Sequence, residues 1–175
     1  MKNEMITLRD LTAVDFDTIV SWRNDPQVNR YLAERLKSRT EIEAWFARLK
    51  TNPHTWLKAV LRDRRLIGYC TIESIDEKNR KCELALVIGE VNCWGLGIGR
   101  VVLKKMLKYA FNDLHMHRVW AVVAKGNDRS ERLMRGVGFS REGVMREALI
   151  IAGEFTDLLC YSLLEKEYRE VNNHR

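Results

Sequence analysis

The 175-residue chain is short of proline and of long apolar runs. Two prolines and ten glycines exclude a collagen-like chain or a disordered one rich in both. No apolar stretch approaches the roughly 18 residues that a membrane helix needs. The opening MKNEMITLRD carries acids and lacks the apolar segment of a secretory signal. A cytoplasmic protein without a membrane partner is expected. Cysteine is sparse too. Cys70, Cys82, Cys93 and Cys160 share no CxxC or other metal spacing, and three of them stand inside apolar runs. They read as small buried hydrophobes in a reducing compartment. Cys93 differs, because it lies beside a glycine-rich turn. His115 and His117 lack a third ligand nearby in sequence and fit a surface turn better than a metal site.

What is present balances well for a globular protein: 46% hydrophobic and 31% charged residues. A chain of this length buries about 70% of its unfolded surface. It needs neither disulfide nor metal for a core, and one domain over residues 1–175 is expected. The net charge of +6 is unevenly placed. Residues 100–146 hold 11 Lys/Arg against 4 Asp/Glu, whereas the remainder holds 19 against 20. A basic segment of this kind suits a polyanion, such as a phosphorylated cofactor, a nucleic acid or an acidic surface. The plainer alternative is a solvated helix face.

Residues 5–9 read as a strand, and Thr12 with Asp15 caps a helix over roughly 13–23, which Asn24-Asp25-Pro26 stops. Thr40 and Glu43 signal a second helix with Ile42, Trp45, Phe46 and Leu49 on one face, ended by Asn52-Pro53. Three strands follow, at 56–62, 66–75 and 82–89, separated by charged turns in the manner of an antiparallel meander. Beyond the glycine-rich turn come a helix over 101–112, a strand over 118–124 and a short helix from Asn127 to Gly136 or Gly138. A hairpin of 145–151 and 155–164 closes the chain. The order predicts an α+β (α/β) domain with one βαβ crossover in the middle.

The strongest chemical signal is the strand 82–89 running into Gly95-x-Gly97-x-Gly99 and then a basic helix with Lys104 and Lys105. Glycines at such a turn let the backbone approach an anion, and the helix N-terminus aims its N–H groups at it. The P-loop does not fit, because Arg100-Val101 follows Gly99. The Rossmann fingerprint does not fit either, since the spacing is GxGxG and the preceding strands look antiparallel.

Read in order, several stretches resemble the GNAT superfamily of N-acetyltransferases. They are Ile6-Thr-Leu-Arg9, Trp22-Arg-Asn-Asp25, Leu66-Ile-Gly68, Glu83-Leu-Ala-Leu-Val-Ile88, Trp94-Gly-Leu-Gly-Ile-Gly99, Asn127-x-x-Ser130 with Gly138-Phe139, and Glu142-Gly143 through Gly153 to Asp157. The resemblance is greatest to the branch of RimJ/RimL-type ribosomal-protein acetyltransferases and spermidine acetyltransferases. It implies a mixed, mostly antiparallel sheet of about seven strands flanked by about four helices, with splayed parallel strands in the middle. Acetyl-CoA is the implied cosubstrate, with no metal. Its pyrophosphate would rest on the turn formed by Trp94, Gly95, Leu96, Gly97, Ile98, Gly99 and Arg100. Trp94 departs from the Gln or Arg usual at its place. The pantetheine arm would pair with Val87, Ile88 and Gly89, and Asn127, Ser130 and Arg135 would line the thiol and phosphate side.

Acetyl transfer to an amine needs a base, an oxyanion donor and help for the departing thiolate. Glu83, the one acid in an apolar strand, is the candidate base; a structural hydrogen-bonding role is the alternative. A backbone N–H near Ile88 is the candidate oxyanion donor. The family's usual tyrosine is Met134 here, which donates no proton, so Ser130 is the candidate acid. Trp22, Tyr31, Glu34, Phe155 and Asp157 are candidates for the acceptor pocket. The implied activity is direct transfer of acetyl to a primary amine: a protein N-terminus, a polyamine or an amino sugar. The rival is a non-catalytic acyl-CoA or nucleic-acid-binding module. Trp120 stands alone in its strand, without the interleaved aromatics of a stacking platform, so nucleic acid is not the expected partner. Whether the chain forms a homo-oligomer is left open.

Overall fold

The computed structural model describes residues 5–32 and 36–173. Seven strands form one sheet: β1 (Ile6–Asp10), β2 (Trp56–Arg62), β3 (Arg65–Asp76), β4 (Lys81–Ile88), β5 (Arg118–Ala124), β6 (Ser140–Ile151) and β7 (Glu154–Leu164). Their order is β1-β2-β3-β4-β5-β7-β6, and every neighbouring pair is antiparallel except β4 and β5. The helices among the described residues are α1 (Phe16–Asn24), α2 (Pro26–Asn29), α3 (Arg39–Thr51), α4 (Ile98–Lys108), α5 (Asp128–Gly136) and α6 (Glu165–Asn173). The mixed, mostly antiparallel sheet with a parallel pair in its middle is as expected; the helices exceed the expected four. None of them is long and apolar enough to cross a membrane.

The differences from expectation have local causes. Ser38, not Thr40, caps α3, because Ser38 and Glu41 stand at capping-box spacing. The Ser38 hydroxyl accepts from the Glu41 N–H at 3.2 Å, and the Glu41 carboxylate accepts from the Ser38 N–H at 2.8 Å. Strand β6 starts at Ser140 rather than 145, as Ser140 and Arg141 pair with Ser162 and Tyr161. The unforeseen α6 begins at once after β7, where the Leu164 N–H donates to the Glu167 carboxylate at 2.8 Å. Tyr168 on α6 stacks on Phe111 with ring centroids 4.6 Å apart, so one apolar face suffices to dock a highly charged helix.

The sheet separates two apolar cores. On one side α4 and α5 bury Val102, Leu103, Met106 and Met134 against Val60, Cys82, Leu84 and Tyr161. On the other, α1 and α3 bury Ile19, Trp22, Ile42 and Trp45 against Ala59, Leu61 and Tyr69. Alternation along β2 sends Val60 one way and Ala59 and Leu61 the other. The four cysteines are unpaired, and burial pushes the Cys70 and Cys82 thiols up to about 12.

The end of β4 is fixed by two close approaches. A Cβ on Gly68 would lie 2.2 Å from the Val87 carbonyl oxygen, so β3 and β4 pack at a separation only glycine permits. A Cβ on Gly89 would lie 2.0 Å from the Trp22 indole. That indole is buried, and its Nε1 donates to Glu90 at 3.2 Å, so it has little room to retreat. Gly89→Ala is therefore expected to destabilise the protein by roughly 1–3 kcal/mol, the usual range for overpacking. Urea unfolding monitored by circular dichroism checks this; an unchanged midpoint would mean that Trp22 moves aside freely.

Candidate active site

The parallel pairing of β4 with β5 is short. Lys81, Cys82 and Glu83 pair with Arg118, Val119 and Trp120, and there the ladder ends. Beyond it β4 continues beside β3 as far as Ile88, while β5 continues beside β7 as far as Ala124. The two strands thus diverge and open a gap in the middle of the sheet.

Hydrogen-bond alternation decides which backbone groups face that gap. The Gly89 and Glu90 N–H groups donate to Ile67 O at 2.9 and 3.2 Å. Gly68 and Ile88 are therefore a non-hydrogen-bonded pair, and the N–H and C=O of Ile88 point away from β3 into the gap. Leu86 faces the same way two residues earlier, whereas the backbone groups of Val87 turn to β3. Of the expected trio Val87, Ile88 and Gly89, only Ile88 offers its backbone to a ligand, and the Gly89 N–H is already engaged. Leu86 was missed; the period of two along a strand was the signal that could have found it. The Ile88 carbonyl accepts from the Trp94 indole Nε1 at 2.8 Å, which leaves the Ile88 N–H, beside that of Leu86, as a donor facing the gap.

The gap opens into a cavity of about 760 Å³ between α2, the glycine turn and α5. Gly95 and Gly97 line it with φ of +79° and +77°, and Cβ atoms built on them meet nothing within 4 Å. Gly97 stands in the left-handed region as the cap of α4, a place where glycine carries no steric penalty. The Arg100 and Val101 N–H groups bond back to Gly97 O, so the Arg100 amide is not available to an anion. The earlier amides at the start of α4 have no intrahelical partner and form an anion-binding terminus. The turn's Trp94, Ile98, Gly99 and Arg100 also line the cavity, whereas the Leu96 side chain is exposed on the surface.

Charge in the cavity wall is one-sided. Among the described residues Arg30, Arg100, Arg129 and Arg132 line it, against Asp128 as the one acid. Asn127 caps α5 and accepts from the Ser130 N–H at 3.2 Å; both residues line the cavity. Arg135 does not, since it turns to Glu131 at 3.3 Å. Met134 lies in the core at 7% exposure and does not line the cavity.

Glu83 stands outside the cavity, on the strand face that also carries Ala85 and Val87. Its cross-strand partner is Glu73, which the Thr71 hydroxyl fixes with a 2.7 Å hydrogen bond. Burial, and then the Glu73 carboxylate opposite, raise the Glu83 carboxyl to about 7. Glu73 was not singled out in the sequence, where nothing marks it as Glu83's neighbour.

The acceptor candidates scatter. Tyr31 lines the cavity and its hydroxyl donates to Gly126 O at 2.8 Å, joining α2 to the β5–α5 turn. Trp22 does not line it; the ring belongs to the second core. Phe155 is 68% exposed near the tip of the β6–β7 hairpin. Asp157 is held by Lys125 at 2.9 Å and by the Glu147 N–H at 3.0 Å. Glu34 lies outside the described residues. Among the described residues no group of three or more His, Cys, Asp or Glu could hold a metal ion.

Splayed parallel strands, a glycine-capped helix and an arginine-lined cavity are what a long phosphorylated thioester needs. The sequence model of the acetyltransferase (GNAT) domain matches residues 5–140. The chain belongs to the GNAT acetyltransferase family. It is 31% identical over 175 residues to the "Putative ribosomal N-acetyltransferase YdaF" of Bacillus subtilis, covering 95% of this chain and 94% of that protein. It is 26% identical over 169 residues to the spermidine N(1)-acetyltransferase of Vibrio cholerae, covering 95% and 96%. The crystal structure of spermidine N-acetyltransferase from Vibrio cholerae in complex with CoA and spermine superposes with a TM-score of 0.85 at 25% identity, over 94% of this chain and 98% of that one. As a GNAT N-acetyltransferase the protein is an acyltransferase that uses acetyl-CoA, and the cavity's open glycine cradle and cationic wall suit that cosubstrate.

Gly97→Val tests the cradle. The branched side chain enters the space left open beside the turn and also strains a left-handed backbone. Calorimetry on the folded variant is expected to show CoA binding abolished. Unchanged affinity would mean that the turn shapes the chain without touching the ligand.

Proposed function

We propose that this acetyltransferase acts on primary amines in the RimJ/RimL manner, a peptide N-terminus or a comparable small amine, with Glu83 as its base. The observation that carries the reading is the Glu83–Glu73 pair on the open strand face that runs to Val87 at the cavity. The amine arrives as an ammonium and needs to lose a proton before its nitrogen can attack. A carboxyl near 7 is poised to take that proton at neutral pH. Glu83 stands four residues, roughly 13 Å, before Val87 along the strand, so the proton travels through ordered water.

The neutral nitrogen then bonds to the thioester carbonyl carbon and the carbon–sulfur bond breaks. The Ile88 N–H faces the gap and donates to the carbonyl oxygen as negative charge grows there. The Ser130 hydroxyl, at the cavity wall, donates to the departing sulfur. The pairs Asp157–Lys125 and Trp22–Glu90 act as structural supports around the acceptor side, while Tyr31 forms part of the acceptor wall. A cytoplasmic location belongs to the same reading and is supported by four cysteines that form no disulfide.

Glu83→Gln is expected to lower kcat/KM by roughly 10²–10³ near neutral pH, with the loss shrinking at high pH, where more amine is already neutral. In the unaltered protein the rate rises with pH through about 7, because the deprotonated carboxylate is the active form. Glu73→Gln removes the like charge and should move that rise to lower pH, though only part of the way, since burial remains. A Glu83→Gln loss equal at every pH would assign Glu83 to positioning instead.

A polyamine acceptor is the second reading. It is supported by the spermidine-named relative and by the paired carboxylates, which suit a cationic amine. Turnover at saturating acetyl-CoA separates the two. N-terminal peptides are expected to be acetylated faster than spermidine; the reverse order would overturn the preference.

A further inference from the structure

We propose that Arg129 binds the pyrophosphate of acetyl-CoA and that Trp94 is the positioning residue that presents it. The Trp94 indole is held firmly. Its Nε1 donates to Ile88 O at 2.8 Å, and its ring packs against the second core. The Arg129 guanidinium carbon lies 3.8 Å from the ring centroid, which is stacking distance. A guanidinium lying on an aromatic face keeps its in-plane N–H edges available for hydrogen bonds.

Nothing among the described residues claims those edges. Arg129 makes no ion pair or side-chain hydrogen bond among the described residues. Glu131, two residues on, is already engaged by Arg135 at 3.3 Å and by the Tyr161 hydroxyl at 2.9 Å. Arg30, Arg100 and Arg132 share the cavity and repel rather than neutralise Arg129, leaving Asp128 as the one acid in the wall among the described residues. Arg129 is exposed, so without the stack its side chain would sample many rotamers. The shelf removes that freedom before the ligand arrives, which is how preorganisation raises affinity.

Position supports pyrophosphate in particular. Trp94 is the residue directly before Gly95, so the stacked cation is tethered to the start of the turn whose open glycines and unpartnered amides make the anion cradle. Amide dipoles and a planar cation then meet on one anion, and a guanidinium matches two phosphate oxygens at once. The substitution of tryptophan at a place where the family usually carries Gln or Arg thereby has a use. The cation comes from α5 instead, and the indole holds it.

The test uses the full chain and four ligands or substrates. Arg129→Gln is expected to weaken CoA binding about tenfold by calorimetry, and to weaken 3′-dephospho-CoA by the same factor, since both keep the pyrophosphate. KM for acetyl-CoA should rise with kcat unchanged, and KM for S-acetylpantetheine, which has no phosphate, should stay as it was. Trp94→Phe keeps an aromatic shelf and should retain most of the affinity. Trp94→Leu removes the shelf, and adding Arg129→Gln to it should cost little more, as expected for coupled residues. Three results would overturn the proposal: unaltered CoA affinity in Arg129→Gln, an equal loss with S-acetylpantetheine, or a loss confined to CoA and absent with 3′-dephospho-CoA. Should Trp94→Leu fail to fold, Arg129→Gln and Trp94→Phe decide the matter alone.

Discussion

A peptide group that loses its ladder partner must be satisfied elsewhere, and this constraint organises the centre of the protein. Strand β4 keeps β3 along its whole length but keeps β5 only to the Glu83–Trp120 pair. From there the backbone groups of Leu86 and Ile88 have no strand to meet. One of them, the Ile88 carbonyl, is capped by the Trp94 indole. The remaining donor at Ile88 then faces the gap, where an acceptor oxygen suits it. The divergence depends on small residues at close approaches. Gly68 lets β3 stay close to Val87, and Gly89 makes room for Trp22 beneath the strand's end.

Electrostatics act along the same axis. The amides at the start of α4 supply partial positive charge, and among the described residues four arginines around the cavity supply full charges against one aspartate. A polyanion entering the cavity is attracted over a range comparable to the Debye length, so its association should weaken as salt rises. On the other side of the gap the sign reverses. Glu73 and Glu83 stand opposite each other on neighbouring strands, an arrangement that costs stability when both are ionised. Cationic groups thus line the cavity, whereas the paired carboxylates stand where β4 still pairs with β5.

Much of this was legible in the sequence because it is local. The strand rich in apolar residues with a lone Glu83, the GxGxG turn and the basic helix after it are contiguous, and each has one structural meaning. The charge excess between residues 100 and 146 was visible by counting, and three of its arginines, Arg100, Arg129 and Arg132, stand on the cavity wall. What could not be read was what register and packing decide. Glu73 meets Glu83 only because β3 and β4 pair in a particular register, ahead of an irregularity between Glu73 and Asp76. Trp22 looked like a pocket aromatic, yet the glycine at position 89 draws it into the core. Asp157 looked available, yet Lys125 and the Glu147 amide engage it. Helix α6 escaped notice because its charge hid the single aromatic contact that docks it.

The claim on which the rest stands is that acetyl-CoA occupies the gap between β4 and β5 and bonds to its unpaired backbone. Residue-resolved amide hydrogen exchange, with and without saturating CoA, tests it directly. The account predicts added protection at Ile88 and at the amides of Gly97, Ile98 and Gly99, with no change in the β1–β2 ladder, whose amides are already paired. Protection spread evenly over the sheet, or absent at Ile88 while CoA is bound, would contradict it.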